Sequence, residues 1–378
     1  MTLYGIDLIK NYSNIFNGKR IGLITNFSGI ASNMQEDLEV FKSLNYNVSK
    51  VFTPEHGLYA AHDGENVDSF IHPIYGIPVI SLYGEKNMPS STDLDNLDIL
   101  VYDIQDVGLR YYTYIYTLAN CMKAAANKGL PLVVLDRPNP LGDSVSGNTM
   151  KKENDSFVGA YGLCIRYGLT VGELGFYFKD YLDLKLDYSV IKMKNYEANF
   201  KWPDTLLPFN IPSPSIHTFN TCLCYNGGCF FEATNISEGR GTAIPFQFYG
   251  APFVEEDKFI KELRLRIKDD NLVFRSRAFT PFWSKHAGLT CFGVEFMPLN
   301  NNLDFTYHAL TCMKTFKDMY PDKFEFKSYA DVARLTSLSG DETAMDYLND
   351  KLSLNALKEK WQTESEQFAK DVKQFRLY

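Results

Sequence analysis

The sequence predicts an α/β fold: a Rossmann-like parallel sheet domain over residues 1–198, followed by a smaller mixed α/β domain over 199–378. Three observations carry this prediction. Short apolar, β-branched runs alternate with helical stretches through the first half, the pattern of a parallel sheet covered on both faces. Near Phe200 the texture changes, and Pro203, Pro208, Pro212 and Pro214 make a long irregular connection. The chain's 378 residues suffice for two domains with cores of their own.

The elements follow in order. Arg20–Asn26 is an apolar run after a polar loop and reads as a buried strand. Ser32 and Gln35 have the spacing of a capping box and predict a helix through Val40 and Leu44. Val48–Phe52, Ile77–Tyr83 and Ile99–Ile104 are the next strands, Pro78 lying where a strand start tolerates it. Ile115, Leu118, Ala119, Met122 and Ala126 recur at helical spacing, with Gly129 as C-cap. Leu132–Leu135 is a fifth strand. Thr170 and Glu173 form a second capping box, opening a helix through Tyr181, and Tyr188–Met193 closes the series. Beyond the proline-rich connection, a helix is predicted around Phe259–Ile267 and strands near Leu272–Phe274 and Cys291–Phe296. Helices near Thr306–Met319 and Asn355–Phe375 end the chain.

Composition excludes several classes. Hydrophobic residues at 45% and charged residues at 22% are those of a globular protein, not a disordered or fibrous one. A net charge of -8 argues against a nucleic-acid partner. No apolar run reaches the roughly 18 residues of a membrane span. Met1–Asp7 lacks the marks of a secretory signal, and the seven cysteines are an odd number, so reduced thiols and a cytoplasmic location are expected. The oligomeric state is left open.

In a parallel sheet, ligands bind beyond the carboxyl ends of the strands, and three polar clusters fall there. Glu55-His56-Gly57 offers a carboxyl beside a glycine, suited to acid–base work or to a loop salt bridge, and Glu65 follows in the same loop. Asp103-Ile104-Gln105-Asp106 offers a second carboxylate or a helix cap. Asp136-Arg137-Pro138-Asn139-Pro140 presents a guanidinium on a stiffened loop, either to a carboxylate ligand or to Asp136 or Asp106. Further on, Glu238-Gly239-Arg240-Gly241 combines both charges with flexible glycines, as a binding loop or a surface turn does. Part of the tyrosine-rich run from Tyr111 to Tyr116 is too polar to be all core and is expected in a cleft.

No cofactor is expected. The first strand runs into Asn26-Phe27-Ser28-Gly29, without the G-x-G-x-x-G of dinucleotide folds, and there is no P-loop. No metal is expected either: His217, Cys222, Cys224 and Cys229 lack a zinc spacing, and so do His56, His62 and Asp63.

Several long blocks resemble the bacterial exo-β-N-acetylmuramidases. They are Thr53–Gly57, Ser81–Gly84, Asp103–Gly108 with Arg110–Tyr114, Leu135–Gly142, Gly168–Leu174, Pro212–Pro214, Ser237–Thr242, Gly250–Pro252 and Ser284–His286, in order along nearly the whole chain. The resemblance implies an active cleft between the two domains and release of terminal β-linked N-acetylmuramic acid from peptidoglycan-derived saccharides. It implies Glu55 as the catalytic residue; we read Glu55 as the general acid, with Asp106, Glu238 or the substrate's own acetamido group as the second participant. Substrate contacts are expected from His56, Glu65, Gln105, Arg110, Tyr112, Arg137, Asn139, Arg240 and His286, with Arg240 or Arg137 reading the lactyl carboxylate. The sequence departs from the family pattern at Leu58-Tyr59-Ala60, Arg166-Tyr167-Gly168-Leu169-Thr170 and Ser215-Ile216-His217. A metal-dependent hydrolase using His56, His62 and Asp63 and a non-catalytic sugar-binding protein are the competing readings.

Overall fold

The strands of the first half alternate between two apolar layers, and that alternation builds the sheet. The computed structural model describes residues 1–61, 67–329 and 332–378. Its first six strands are β1 (Arg20–Thr25), β2 (Asn47–Thr53), β3 (Phe70–Ile71), β4 (Pro78–Ser81), β5 (Ile99–Asp103) and β6 (Leu132–Leu135). Ile21, Leu23, Val51, Ile99, Val101 and Val133 pack to one face. Ile24, Phe52, Leu100, Tyr102, Leu132 and Val134 pack to the other. A hairpin, β7 (Ser146–Thr149) and β8 (Cys164–Arg166), precedes the last strand, β9 (Tyr188–Ile191). The sheet runs β3-β4-β2-β1-β5-β6-β9, parallel except for the edge strand β3. Without β3 this is the strand order of dinucleotide-binding folds, with its switch point between β1 and β5.

Helices α1 (Gly5–Leu8), α2 (Ser13–Phe16) and α3 (Asp37–Ser43) cover the first face through Ile6, Phe16, Leu38 and Phe41. Helices α4 (Tyr114–Lys128) and α5 (Val171–Tyr181) cover the second through Leu118, Met122, Leu174 and Phe178. Gly129 ends α4 in the left-handed conformation, and Thr170 and Glu173 close their capping box at the start of α5, both as expected. The box expected at Ser32 is not formed. The Ser32 N–H and hydroxyl both donate to Asp7 Oδ1 at 3.0 Å, and Met34 takes a positive φ, so α3 starts five residues later than Ser32, at Asp37.

The second half is built on α6 (Phe219–Gly228), β10 (Phe248–Ala251), α7 (Glu256–Arg266), β11 (Leu272–Phe279), β12 (Cys291–Pro298) and α8 (Thr306–Met319). Its sheet is antiparallel, in the order β10-β12-β11. A short hairpin, β13 (Ser328–Tyr329) with β14 (Val332–Ala333), leads into α9 (Arg334–Ser339), α10 (Thr343–Leu348) and the long α11 (Leu354–Val372). The core is continuous between the halves, since Phe231, Phe316 and Trp361 join the same apolar cluster as Leu118 and Phe178. Among the described residues, no helix is long and apolar enough to cross a membrane.

The end of the chain returns to the first sheet. The Thr149 N–H and hydroxyl donate to Glu364 of α11, both at 2.9 Å, the Leu377 N–H donates to Glu173 at 2.7 Å, and the Tyr378 hydroxyl donates to Asp136 at 2.9 Å. Asp136 lies buried beneath this strap. Burial, helped by the Glu173 charge, pushes its carboxyl from an ordinary 3.8 up to about 7; donors from Gly172, Thr170 and Tyr378 oppose the shift without cancelling it. Between roughly pH 4 and 7 the folded chain therefore keeps a proton that the unfolded chain releases. The stability this group contributes is present below that window and fades as pH rises through it. Asp136→Asn, uncharged at every pH, is expected to gain on the parent between pH 5 and 7.5, by up to about 1.4 kcal/mol per pH unit. Urea unfolding of both proteins at the two pH values measures this gain, and a stability difference that does not move with pH contradicts it.

Candidate active site

A cleft of about 1040 Å³ opens between the two halves of the chain, at the upper end of the range for small-molecule sites. From the first half come Glu55, His56, Tyr112, Thr113 and Tyr114; from the second come Glu232, Glu238, Arg240, Lys285 and Arg334.

Glu55 lies two residues beyond the end of β2, after Pro54. The Gly57 N–H donates to the Pro54 carbonyl at 3.0 Å, and His56 and Gly57 take φ of 70° and 69°, so the chain turns sharply just after the carboxyl. A Cβ on Gly57 would approach Val67 to 2.8 Å, so both the turn and the packing require glycine there. The Thr113 hydroxyl, from the residue preceding α4, donates to Glu55 Oε2 at 2.5 Å and fixes the carboxyl at the cleft wall.

The facing wall is a charge network. Glu238 is buried, with Lys285 Nζ at 2.7 Å and Arg240 Nε at 3.5 Å. The Lys285 ammonium also donates to the carbonyls of Phe231 at 2.6 Å and Ile236 at 2.9 Å, which uses its three hydrogens. Burial lowers the Lys285 pKa, and Glu238 works against that. Arg240 stands over the Phe246 ring and donates to Glu232 at 2.8 Å. Glu232 is half-buried, and Arg334 reaches its other oxygen at 3.5 Å. Burial, the largest influence on the Glu232 carboxyl, raises its pKa, but Arg240, Arg334 and Lys285 together outweigh it and hold the group ionised, below its ordinary range.

Aromatic rings form the floor. Tyr112 and Tyr114 meet edge to face at 4.7 Å, as do Tyr225 and Phe246 at 4.6 Å. The Tyr111 hydroxyl donates to the Tyr225 carbonyl at 2.9 Å and accepts from the Gly227 N–H at 2.7 Å, joining the tyrosine run of the first half to α6 of the second. Faces of this kind suit the apolar face of a sugar ring.

Of the residues expected in the site, Glu55, His56, Tyr112, Glu238 and Arg240 line the cleft. Gln105, Asp106, Arg110, Arg137 and Asn139 do not. They are buried and engaged elsewhere, which corrects their expected roles. Gln105 donates to the carbonyls of Asp106 and Pro138 at 2.7 and 2.8 Å. Asp106 accepts from the Tyr167 hydroxyl and, at 2.8 Å, from the Gly108 N–H; burial pushes its carboxyl up to about 6. It caps a loop and not the following helix. Arg110 donates to the carbonyls of Asn148 and Leu163 at 2.8 Å and of Leu338 at 3.2 Å, tying the two halves together. Asn139 holds its own loop, accepting from the Leu141 N–H at 2.9 Å and donating to the Leu169 carbonyl at 3.0 Å. Arg137 pairs with Asp103 at 2.6 Å, donates to the Ile30 carbonyl at 2.8 Å and stands over the Tyr4 ring. With Asp37 and Thr25 these groups fill the switch point, where a Cβ on Gly29 would approach Asp37 and Thr25 to 2.3 Å. The crevice that takes a dinucleotide in related sheets is thus occupied by side chains.

His286 lies outside the cleft lining, with Nε2 at 2.7 Å from the Asn235 carbonyl. Glu65, His62 and Asp63 lie outside the described residues. His217 contacts the carbonyls of Pro214 and Ala243, and Cys222, Cys224 and Cys229 are buried free thiols.

Glu232, Lys285 and Arg334 were not among the residues the sequence singled out. Lys285 lay inside a recognised block, Ser284–His286, so it was the one with a signal to follow. Glu232 opens the polar stretch Glu232–Gly241, but within that stretch only Glu238 and Arg240 were singled out.

A charged, aromatic-floored cleft between a Rossmann-like sheet and a second α/β unit defines a two-domain protein built to hold a small polar ligand. The chain belongs to the exo-β-N-acetylmuramidase NamZ family: the model of the family's N-terminal domain matches residues 21–220 and that of its C-terminal domain residues 223–378. It is 37% identical over 379 residues to the peptidoglycan β-N-acetylmuramidase NamZ of Bacillus subtilis strain 168, covering 99% of this chain and 91% of that protein. Two crystal structures of DUF1343 family proteins from Bacteroides fragilis NCTC 9343 are similar throughout. They give TM-scores of 0.88 and 0.75, each at 28% identity, and each match covers 100% of this chain and 99% of the other.

Proposed function

We propose that this protein is an exo-acting glycoside hydrolase that releases terminal β-linked N-acetylmuramic acid from peptidoglycan-derived saccharides. The observation that carries the reading is the pairing of unlike carboxyl groups on one cleft: Glu55, held by the Thr113 hydroxyl, and Glu232, held ionised by cations. Glycoside hydrolysis asks for one group that gives a proton to the leaving oxygen and one that stays negative opposite the developing oxocarbenium charge. Glu55 takes the first role and Glu232 the second. Glu238, with both oxygens engaged, positions Lys285 and Arg240. The Tyr112 and Tyr225 rings give the sugar its apolar platform.

No cofactor enters this scheme. Exhaustive chelation is expected to leave the activity intact, and activity that vanishes and returns with added Zn²⁺ moves the assignment to a metal-dependent hydrolase. Seven buried free thiols suit a reducing compartment and support a cytoplasmic location, which cell fractionation would test. The deciding experiment is turnover of paired chromogenic N-acetylmuramide and N-acetylglucosaminide substrates. Release from the first in preference to the second is expected. Release from neither leaves a sugar-binding protein.

A further inference from the structure

The sugar just proposed differs from N-acetylglucosamine only by a 3-O-lactyl ether bearing one carboxylate. An enzyme that separates the two sugars must sense that charge. The protein carries a net charge of -8, so its overall field repels an anion and attraction has to be local. The two arginines that the sequence suggested are committed elsewhere: Arg137 is buried against Asp103, and Arg240 is held by Glu232, Glu238 and the Phe246 ring.

Two other cations line the same cleft. Lys327 and Arg334 flank the β13–β14 hairpin and are fixed side by side, the Arg334 N–H donating to the Lys327 carbonyl at 3.1 Å. The Lys327 N–H donates in turn to the Ala233 carbonyl at 2.7 Å, which anchors the pair beside Glu232. Lys327 is exposed, and no carboxylate among the described residues is recorded within ion-pair distance of its ammonium. Arg334 has Glu232 at 3.5 Å, and its guanidinium retains donors beyond that contact. In the second half's share of the lining four cations, Arg240, Lys285, Lys327 and Arg334, lie with two carboxylates, Glu232 and Glu238, while Glu55, Glu153 and Asp155 line the first half's share. Within the second half's share, the positive charge not matched by a carboxylate lies at Lys327 and Arg334.

We infer that Lys327 and Arg334 form the anion-reading subsite of the cleft and bind the carboxylate of the 3-O-lactyl group. The inference rests on the proposed muramidase reading. Lys327 supplies a point charge and takes no part in bond cleavage; Arg334 supplies a directional donor while it also helps hold Glu232 ionised. The same cations draw the substrate into the cleft, so its capture weakens as salt screens them.

The test measures binding and turnover separately. The parent, Lys327→Met and Arg334→Gln are titrated calorimetrically with free N-acetylmuramic acid and free N-acetylglucosamine, and all three are assayed on the paired chromogenic glycosides. The parent is expected to prefer the acidic sugar, and less so at high ionic strength. Lys327→Met is expected to lose roughly ten- to a hundred-fold of that preference, the worth of one charge-assisted hydrogen bond, mainly through KM and without change in glucosamine binding. A preference kept in both variants, or absent in the parent, overturns the inference. If the parent cleaves neither glycoside yet loses its preference between free sugars in Lys327→Met, the hydrolase reading falls and the anion subsite stands.

Discussion

Glu55→Gln is expected to fold as the parent does and to lose about 10²–10⁴ in kcat on a natural muramic-acid disaccharide, the usual worth of general acid catalysis. The amide still accepts from the Thr113 hydroxyl, so the wall keeps its geometry while the transferable proton is gone. The loss should depend on the leaving group. A glycoside whose aglycone is a strongly acidic phenol departs with little protonation and should suffer much less. Glu232→Gln supplies the contrast: its charge acts on the sugar and not on the leaving oxygen, so its loss should be similar for good and poor leaving groups. Parent-like turnover of the disaccharide by Glu55→Gln contradicts the assignment. If only Glu232→Gln were rescued by an acidic leaving group, the two roles would be exchanged.

Arg137→Met is expected to cost stability, by about 3–5 kcal/mol, and not specificity. The guanidinium is fully buried, with Asp103 at 2.6 Å. Asp37 is close by, its carboxyl pushed well above the ordinary range by burial and by the Asp103 charge, with Thr25 and Arg137 opposing. Without Arg137, two buried carboxyls face each other with no cation between them. One must then take up a proton or the switch point must open. Urea unfolding measures the loss. Adding Asp103→Asn to Arg137→Met should recover part of it, because the charge left behind is what costs most. A variant as stable as the parent that has lost its preference for the muramide would return Arg137 to the cleft.

Local pattern made much of the architecture legible. β5 and β6 announce themselves as apolar runs because they are buried throughout, and β2 shows the same only in its inner half, Val51–Thr53. Gly129 and the Thr170–Glu173 box mark helix ends through short-range hydrogen bonds, which a few neighbouring residues determine. Ser32–Gln35 has the same local pattern and fails. Its serine is claimed by Asp7, 25 positions away, and no local window contains that competitor.

The site divides in the same way. Glu55 is legible because it lies at the end of a readable strand, where this fold places ligands. Asp106, Arg110, Arg137 and Asn139 are just as polar and lie near strand ends too, yet they build the scaffold behind the cleft. Whether a charged side chain reaches a ligand or a buried partner depends on which distant groups the fold brings to it, as Asp103 is brought to Arg137 and Leu338 to Arg110. Glu232, Lys327 and Arg334 come together through contacts spanning about a hundred residues, by way of backbone bonds that any side chains could make. The sheet, most of its covering helices and the place of Glu55 at a strand end were readable from residue pattern, because they follow from burial periodicity and short-range bonding. Which charges face the cleft follows from long-range packing, because folding spends some of them on buried partners, as Arg137 on Asp103, and leaves others with donors or charge toward the cleft.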